Sequence, residues 1–272
     1  MKKFPIALQL YSVRDQMAAD FEGTLAAVSA LGYDGVEFAG LYGKSTAEVK
    51  ALCEKYSLTP ISAHVPFVDM MADPAGVLQT YAEIGCRYVV IPYLTEEYRP
   101  GNDRFEEVIA GAALLGKTAK ELGMTLLYHN HDFEFKKIDG KYALDVLYDT
   151  VSPDLLQTEL DLCWVKVGGE EPASYLRKYT GRAPIVHFKD FSGKVGGKMY
   201  ALIGIEDDGE EASEFSFRAL GMGCQNIPEL LSASEDAGAE WIVVEQDNPS
   251  DGLSPIECAE KSIRCLKDNL GD

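Results

Sequence analysis

Four histidines occur in this chain of 272 residues, and all four fall where a short apolar run gives out. His64 closes PISAH (60–64), His129 and His131 lie in LLYHNH (126–131), and His187 belongs to PIVHF (184–188). Two acidic residues stand in matching places: Asp161 follows LLQTEL (155–160), and Glu245 ends WIVVE (241–245). A lone histidine at a strand end is more often a structural hydrogen-bonding residue. Here His129, Asp161, His187 and Glu245 end four successive runs, which favours a site. Two imidazoles and two carboxylates gathered at one place suit a single divalent ion, Mn²⁺, Zn²⁺, Co²⁺ or Fe²⁺ rather than Ca²⁺ or Mg²⁺.

Such residues need a scaffold that brings distant strand ends together. Short apolar runs at 5–11, 35–38, 60–64, 88–92, 125–130, 156–160, 185–188 and 241–245 read as strands covered on both faces. Helical patterns lie between and after them, at 20–31, 45–56, 74–84, 105–122, 142–150, 172–179, 227–237 and 254–269. Ser45 and Glu48 have capping-box spacing, and Gly32, Gly85, Gly123 and Gly238 close helices before the next strand. Eight strands alternating with eight helices predict a single (β/α)₈ TIM barrel over 1–272. Adjacent barrel strands run about 5 Å apart, so four consecutive ends can converge on one ion. The first βα turn, SVRDQMAAD, has no GxGxxG, which disfavours a dinucleotide-binding sheet. One long insertion, 190–226, follows the seventh strand on the catalytic face and reads as a lid.

Composition narrows the partners. A net charge of −19 opposes a nucleic-acid partner and an anionic membrane surface, since both need clustered Lys/Arg. Hydrophobic residues make up 46%, enough for a large core. No apolar stretch approaches the roughly 20 residues of a membrane helix. The start, MKKFPIALQLYS, reads as a first strand rather than an export signal, and six scattered cysteines without CxxC point to a reducing cytoplasm. Oligomeric state is left open, a homo-oligomer included.

Ordered segments along nearly the whole chain resemble the sugar phosphate isomerase/epimerase superfamily, the xylose-isomerase-like barrels. They are ALQLYSVRD (7–15), GYDGVEF (32–38), ISAHVPF (61–67), YHNHDFEF (128–135), ELDLCW (159–164), VHFKD (186–190), LGMGCQNIPELL (220–231) and VVEQD (243–247). The resemblance implies a divalent metal held by Glu, Asp, His and Glu from strands 5 to 8. By position the last three are Asp161, His187 and Glu245, and His129 stands where the first glutamate is expected. Family epimerases use the two glutamates to move protons on opposite faces of the substrate, and that pair is incomplete here.

The resemblance also implies a small sugar substrate and roles for the remaining candidates. The expected reaction is isomerisation or epimerisation of a sugar or keto-sugar by proton abstraction beside a carbonyl, through an enediolate. The alternative is a lyase, inosose-dehydratase-like or 3-keto-glycoside-cleaving, toward which the missing glutamate tilts the reading; a non-catalytic sugar-binding relative is a third class. Glu245 is the expected base. His131, two residues from His129 and on the same face of an extended segment, is a second ligand, a metal-free base or a loop hydrogen-bonder. Lys189 shares the face of His187 and would stabilise an oxyanion, unless it pairs with Asp190 or Asp247. His64, Glu37, Gln9 and Tyr11 are candidate contacts for sugar hydroxyls, with Arg14 as a competing partner for Glu37. Trp164 offers a stacking platform for a sugar ring, or packing. Glu134 is a hydroxyl contact, an imidazole-orienting carboxylate or a solvated charge. Arg218 is an anchor for an anionic group on the substrate, or a surface residue.

Overall fold

The structure, a computed structural model, describes residues 2–196, 199 and 214–271. Eight parallel strands close into a barrel: β1 (Ile6–Gln9), β2 (Gly35–Phe38), β3 (Thr59–His64), β4 (Tyr88–Ile91), β5 (Thr125–His129), β6 (Gln157–Asp161), β7 (Ile185–Phe188) and β8 (Trp241–Val244). Neighbours follow chain order, and β8 closes on β1. The outer helices are α1 (Phe21–Leu31), α2 (Thr46–Lys55), α3 (Pro74–Ile84), α4 (Phe105–Glu121), α5 (Ala143–Thr150), α6 (Pro172–Lys178), α7 (Ile227–Ala237) and α8 (Pro255–Leu270). The expected TIM barrel is therefore the observed fold, with element ends within a few residues of the sequence reading. No helix among the described residues is long and apolar enough to cross a membrane.

Local chemistry sets the ends. The Ser45–Glu48 capping box starts α2, and a second one, Ser254–Glu257, starts α8. Gly32, Gly85 and Gly238 end α1, α3 and α7 in the left-handed conformation that other residues adopt at a cost.

The two-residue period of the strands sorts their side chains between two cores. Val36, Phe38, Val89, Ile91, Leu126, Leu160, Val186 and Ile242 pack outward against the helices. Ala7, Ile61, Tyr88, Val90, Leu127, Ile185 and Val243 fill the barrel interior. One pleat step further along come Gln9, Glu37, His129, His187 and Glu245. A polar layer thus rests directly on an apolar plug. On β3 the register slips, Val36 facing Pro60 but Glu37 facing Ser62. Past the slip, Ser62 and His64 both reach Glu37.

Elements too short to show in the periodicity sit in the βα connections. Helical turns span Arg14–Ala19, Phe67–Ala72 and Leu162–Val167. In the connection after β7, Asp190–Ser192 pairs antiparallel with Ser216–Arg218. Phe191, Phe215 and Phe217 of this hairpin cluster with Trp164. Of the segment expected to form a lid (190–226), residues 197, 198 and 200–213 lie outside the described residues.

Candidate active site

At the C-terminal ends of the strands, the described residues of the polar layer form one connected cluster. His129, Asp161, His187 and Glu245 each offer a ligand atom, and those atoms lie within 4.8 Å of one another. All four are buried. His187 Nδ1 is 3.3 Å from Glu245 Oε2, and His129 Nε2 is 3.9 Å from Asp161 Oδ2 and 4.0 Å from Glu245 Oε2. Asp161 divides its two oxygens. Oδ1 caps the short helix Leu162–Val167 by accepting from the backbone N–H groups of Cys163 and Trp164, at 2.8 and 3.0 Å. Oδ2 points into the cluster, buried and without a hydrogen-bond partner. Asn130 ties β5 to β6 by accepting from the Asp161 backbone N–H at 3.0 Å.

Beneath this set lies a second ring of contacts. His64 Nε2 is 2.6 Å from Glu159 Oε1 and 3.0 Å from Glu37 Oε1. His187 Nε2 is 2.9 Å from Glu37 Oε1 and 3.0 Å from Glu159 Oε1. His129 Nδ1 is 3.3 Å from Glu159 Oε1. Glu37 is fixed from behind by donors, the Gln9 amide at 2.7 Å and the Ser62 hydroxyl at 2.5 Å. Above, Lys189 is buried, with its Nζ 2.8 Å from Glu245 Oε2, 2.6 Å from Asp247 Oδ2 and 3.4 Å from Asp161 Oδ2.

Burial and charge set the protonation states. Burial alone would discharge His64, but Glu37 and Glu159 hold its pKa up at about 10. His187 likewise rises well above the usual imidazole range, since Glu159 and Glu37 outweigh its burial. The two imidazoliums in turn keep Glu37 well below the ordinary carboxylate range against its burial. Burial dominates at His129 and His131, which are driven well below the usual value and stay neutral. Glu245 falls well below its usual value despite burial, drawn down by Lys189 and His187. Asp161 is raised, by burial first. Burial also lifts Asp247, to about 6 against the pull of Lys189.

The donor set fits a divalent ion. Five buried carboxylates, Glu37, Glu159, Asp161, Glu245 and Asp247, face three cations, the Lys189 ammonium and the His64 and His187 imidazoliums. Uncompensated buried charge is costly, by several kcal/mol per ion. A dication held by these residues would supply further positive charge beside Asp161 Oδ2, which accepts no hydrogen bond and has the Lys189 ammonium at 3.4 Å. Nitrogen and oxygen ligands from two imidazoles and two carboxylates match the borderline metals.

A cavity of about 500 Å³ opens above the cluster. His64, His129, His131, Lys189, Glu245 and Asp247 form its polar side; Val65, Pro66, Tyr81, Pro92 and Tyr93 form a largely apolar one. Of the residues expected from sequence to meet substrate, Tyr11 and His64 line this cavity. Others are placed differently. Gln9 and Glu37 are fully buried and bonded to each other, so they support the cluster from below. The Arg14 alternative for Glu37 is also replaced: Arg14 donates instead to the backbone carbonyls of Tyr11 and Asp247. Trp164 is fully buried between His131 and the hairpin aromatics, so it presents no open stacking face. Glu134 is fully buried, accepting from the Tyr128 hydroxyl at 2.7 Å and the His131 backbone N–H at 2.8 Å. It positions His131 rather than reaching substrate. Arg218 lies away from the cavity wall, bonded to Ser192 and paired with Asp251. Glu159 was missed, and Asp247, expected only as an alternative partner for Lys189, is that partner at 2.6 Å and lines the cavity as well. The signal for Glu159 was available, since it stands two residues before Asp161 on the same strand face.

Residues 25–269 match the model of the xylose isomerase-like TIM barrel family. The chain is similar to an inosose dehydratase from Clostridium beijerinckii, 23% identical over 277 residues that cover 92% of this chain and 90% of the relative. Among solved structures it is similar to a sugar phosphate isomerase/epimerase from Parabacteroides distasonis. That likeness has a TM-score of 0.78 at 20% identity and covers 98% of this chain and 94% of the other. It is also similar to the IolI protein with a binding zinc atom, with a TM-score of 0.73 at 16% identity over 98% of each chain. The family expected from the sequence motifs is the family found: this chain is an enzyme belonging to the xylose isomerase-like TIM barrels.

Proposed function

We propose that the protein is a divalent-metal-dependent lyase that removes the proton beside the carbonyl of a keto-sugar or inosose and then expels the β-substituent. The observation that carries this reading is that the buried carboxylates lining the cavity stand on one side, the other titratable groups of the described polar wall being imidazoles and Lys189. Glu245 and Asp247 line the cavity together at the end of β8, with Lys189 of the neighbouring strand bridging them. At the end of β5 stand His129 and His131, whose pKa burial drives well down, which makes both weak proton acceptors. Inverting a carbon centre needs a proton acceptor on each face of the substrate; elimination can take a proton and return it on one face. The inosose dehydratase name of the relatives supports the same choice.

His129, Asp161, His187 and Glu245 would hold the ion, whose identity among Mn²⁺, Zn²⁺, Co²⁺ and Fe²⁺ is for metal analysis to decide. When bound, it acts as a Lewis acid that makes the C–H beside a carbonyl more acidic. Glu245 accepts that proton. Lys189, kept as an ammonium by three carboxylates, faces the negative charge that develops on the substrate oxygen. His64, His131 and Tyr11 bind the remaining hydroxyls. The C–H electron pair becomes the new C=C bond, the β C–O bond breaks, and the departing oxygen leaves with the proton.

The apolar side of the cavity (Val65, Pro66, Tyr81, Pro92) accommodates a leaving group larger than hydroxide, so keto-glycosides belong beside inososes in the test. Isomerisation or epimerisation shares the first step and differs only in where the proton returns. Product analysis separates them: NMR of inososes and 3-keto-glycosides incubated with Mn²⁺-loaded protein. A lyase gives an unsaturated ketone and a released hydroxyl compound or water. A ring-intact isomer or epimer as the sole product would assign the protein to the other class.

A further inference from the structure

We propose, on the reading that this centre holds a divalent ion, that Glu37 and Glu159 are positioning residues that decide which nitrogen of each imidazole faces the metal. His129 and His187 lie between two layers of carboxylates. Toward the cavity are Asp161 and Glu245; toward the barrel interior are Glu37 and Glu159. The same two imidazoles therefore belong to two possible ligand sets. One is His129, Asp161, His187 and Glu245; the other is His64, His129, Glu159 and His187. An imidazole nitrogen that binds a cation cannot donate a hydrogen bond, so the tautomers choose between the sets.

The surroundings make the choice. Glu37 is closed off, its oxygens already accepting from the Gln9 amide and the Ser62 hydroxyl, and both it and Glu159 have no solvent exposure. An ion at that depth would have no open position for substrate. The deep carboxylates instead accept N–H groups, from His187 Nε2 at Glu37 and from His64 Nε2 at Glu159, and Glu159 Oε1 lies 3.3 Å from His129 Nδ1, which makes no hydrogen bond. With an ion bound, the lone pairs of His187 Nδ1 and His129 Nε2 would face the cavity side, where Asp161 and Glu245 stand 3.3 to 4.0 Å from these nitrogens. This arrangement also accounts for a histidine at the end of β5. An imidazole there has a second nitrogen that needs a partner, and Glu159 of the adjacent strand is the carboxylate placed 3.3 Å from it.

The chain has four histidines, few enough to resolve individually in a nitrogen-15 NMR spectrum of the Zn²⁺-loaded protein. We expect His187 to bind through Nδ1 with Nε2 protonated, and His129 to bind through Nε2 with Nδ1 protonated. Glu37→Gln and Glu159→Gln should weaken Zn²⁺ about 10–100-fold in a chelator competition, at unchanged stoichiometry and with native circular dichroism. Asp161→Asn should weaken it more. Zinc on His187 Nε2 or His129 Nδ1, or an unchanged affinity in both glutamine variants, would overturn the assignment while leaving a metal enzyme. Wild-type protein that takes up no divalent ion would instead overturn the functional reading on which it rests.

Discussion

Glu134 shows how a carboxylate outside the proposed reaction can still govern the site. Burial lifts its pKa to about 8, although the Tyr128 hydroxyl and His131 N–H oppose the shift. In the unfolded chain a glutamate titrates near 4.3. Between those values the folded protein keeps a proton that the unfolded chain has lost, so stability from this group is full below pH about 4.5 and falls as pH rises through 8. Glu134→Gln stays neutral throughout. The melting temperature of wild type minus that of the variant should be highest near pH 5 and decline to a minimum near pH 9. A flat difference would mean that Glu134 is ionised in the fold. The residue scale also shows why some assignments were open to sequence and others were not. His187, Asp161 and Glu245 could be picked out because each ends an apolar run. Glu159 could be read from its place two residues before Asp161, but its contact with His64, across the barrel on β3, is one that only closure creates.

Among the elements, the connection after β7 carries the most unusual local chemistry. Asp190 alone accepts four backbone N–H groups: Phe191 and Gln225 on Oδ1, Gly221 and Gly223 on Oδ2, at 2.9 to 3.1 Å. A side chain at Gly223 would collide with it, since a Cβ there would lie 2.2 Å from Oδ1. The carboxylate thus gathers GMGCQN against the hairpin whose Phe217 covers the Lys189 ammonium. Asp190→Ala should orphan these donors, at about 1–3 kcal/mol for each one left buried. The expected result is a marked fall in melting temperature, with faster amide hydrogen exchange at Gly221, Gly223 and Gln225. Unchanged exchange at those amides would show that other acceptors serve them. From sequence the segment was visible only as a long glycine-rich insertion. The eight strands and eight helices declared themselves through periodicity, capping boxes and closing glycines. The short helices and the hairpin did not, because three to six residues carry too little period to distinguish them from loop.

For the whole molecule, the barrel does two separable jobs. The apolar plug of Ala7, Ile61, Leu127, Ile185 and Val243 holds the strands, and one pleat higher the same strands present a sealed polar layer. Closure is what turns five scattered segments into one site, and it brings carboxylates together in a number that a buried environment tolerates only with added positive charge. The central claim is that this layer, once loaded with a divalent ion, makes the C–H beside a carbonyl acidic and hands its proton to Glu245. The direct measurement is solvent-deuterium incorporation into an inosose or keto-sugar held with the protein in D₂O, followed by NMR. The account predicts metal-dependent incorporation or loss at the carbon beside the carbonyl for wild type. It predicts a decrease of at least about 10²-fold for Glu245→Gln, the scale of removing a general base, with the barrel still folded. Full turnover by Glu245→Gln, or exchange that persists after the divalent ion is stripped, would contradict it.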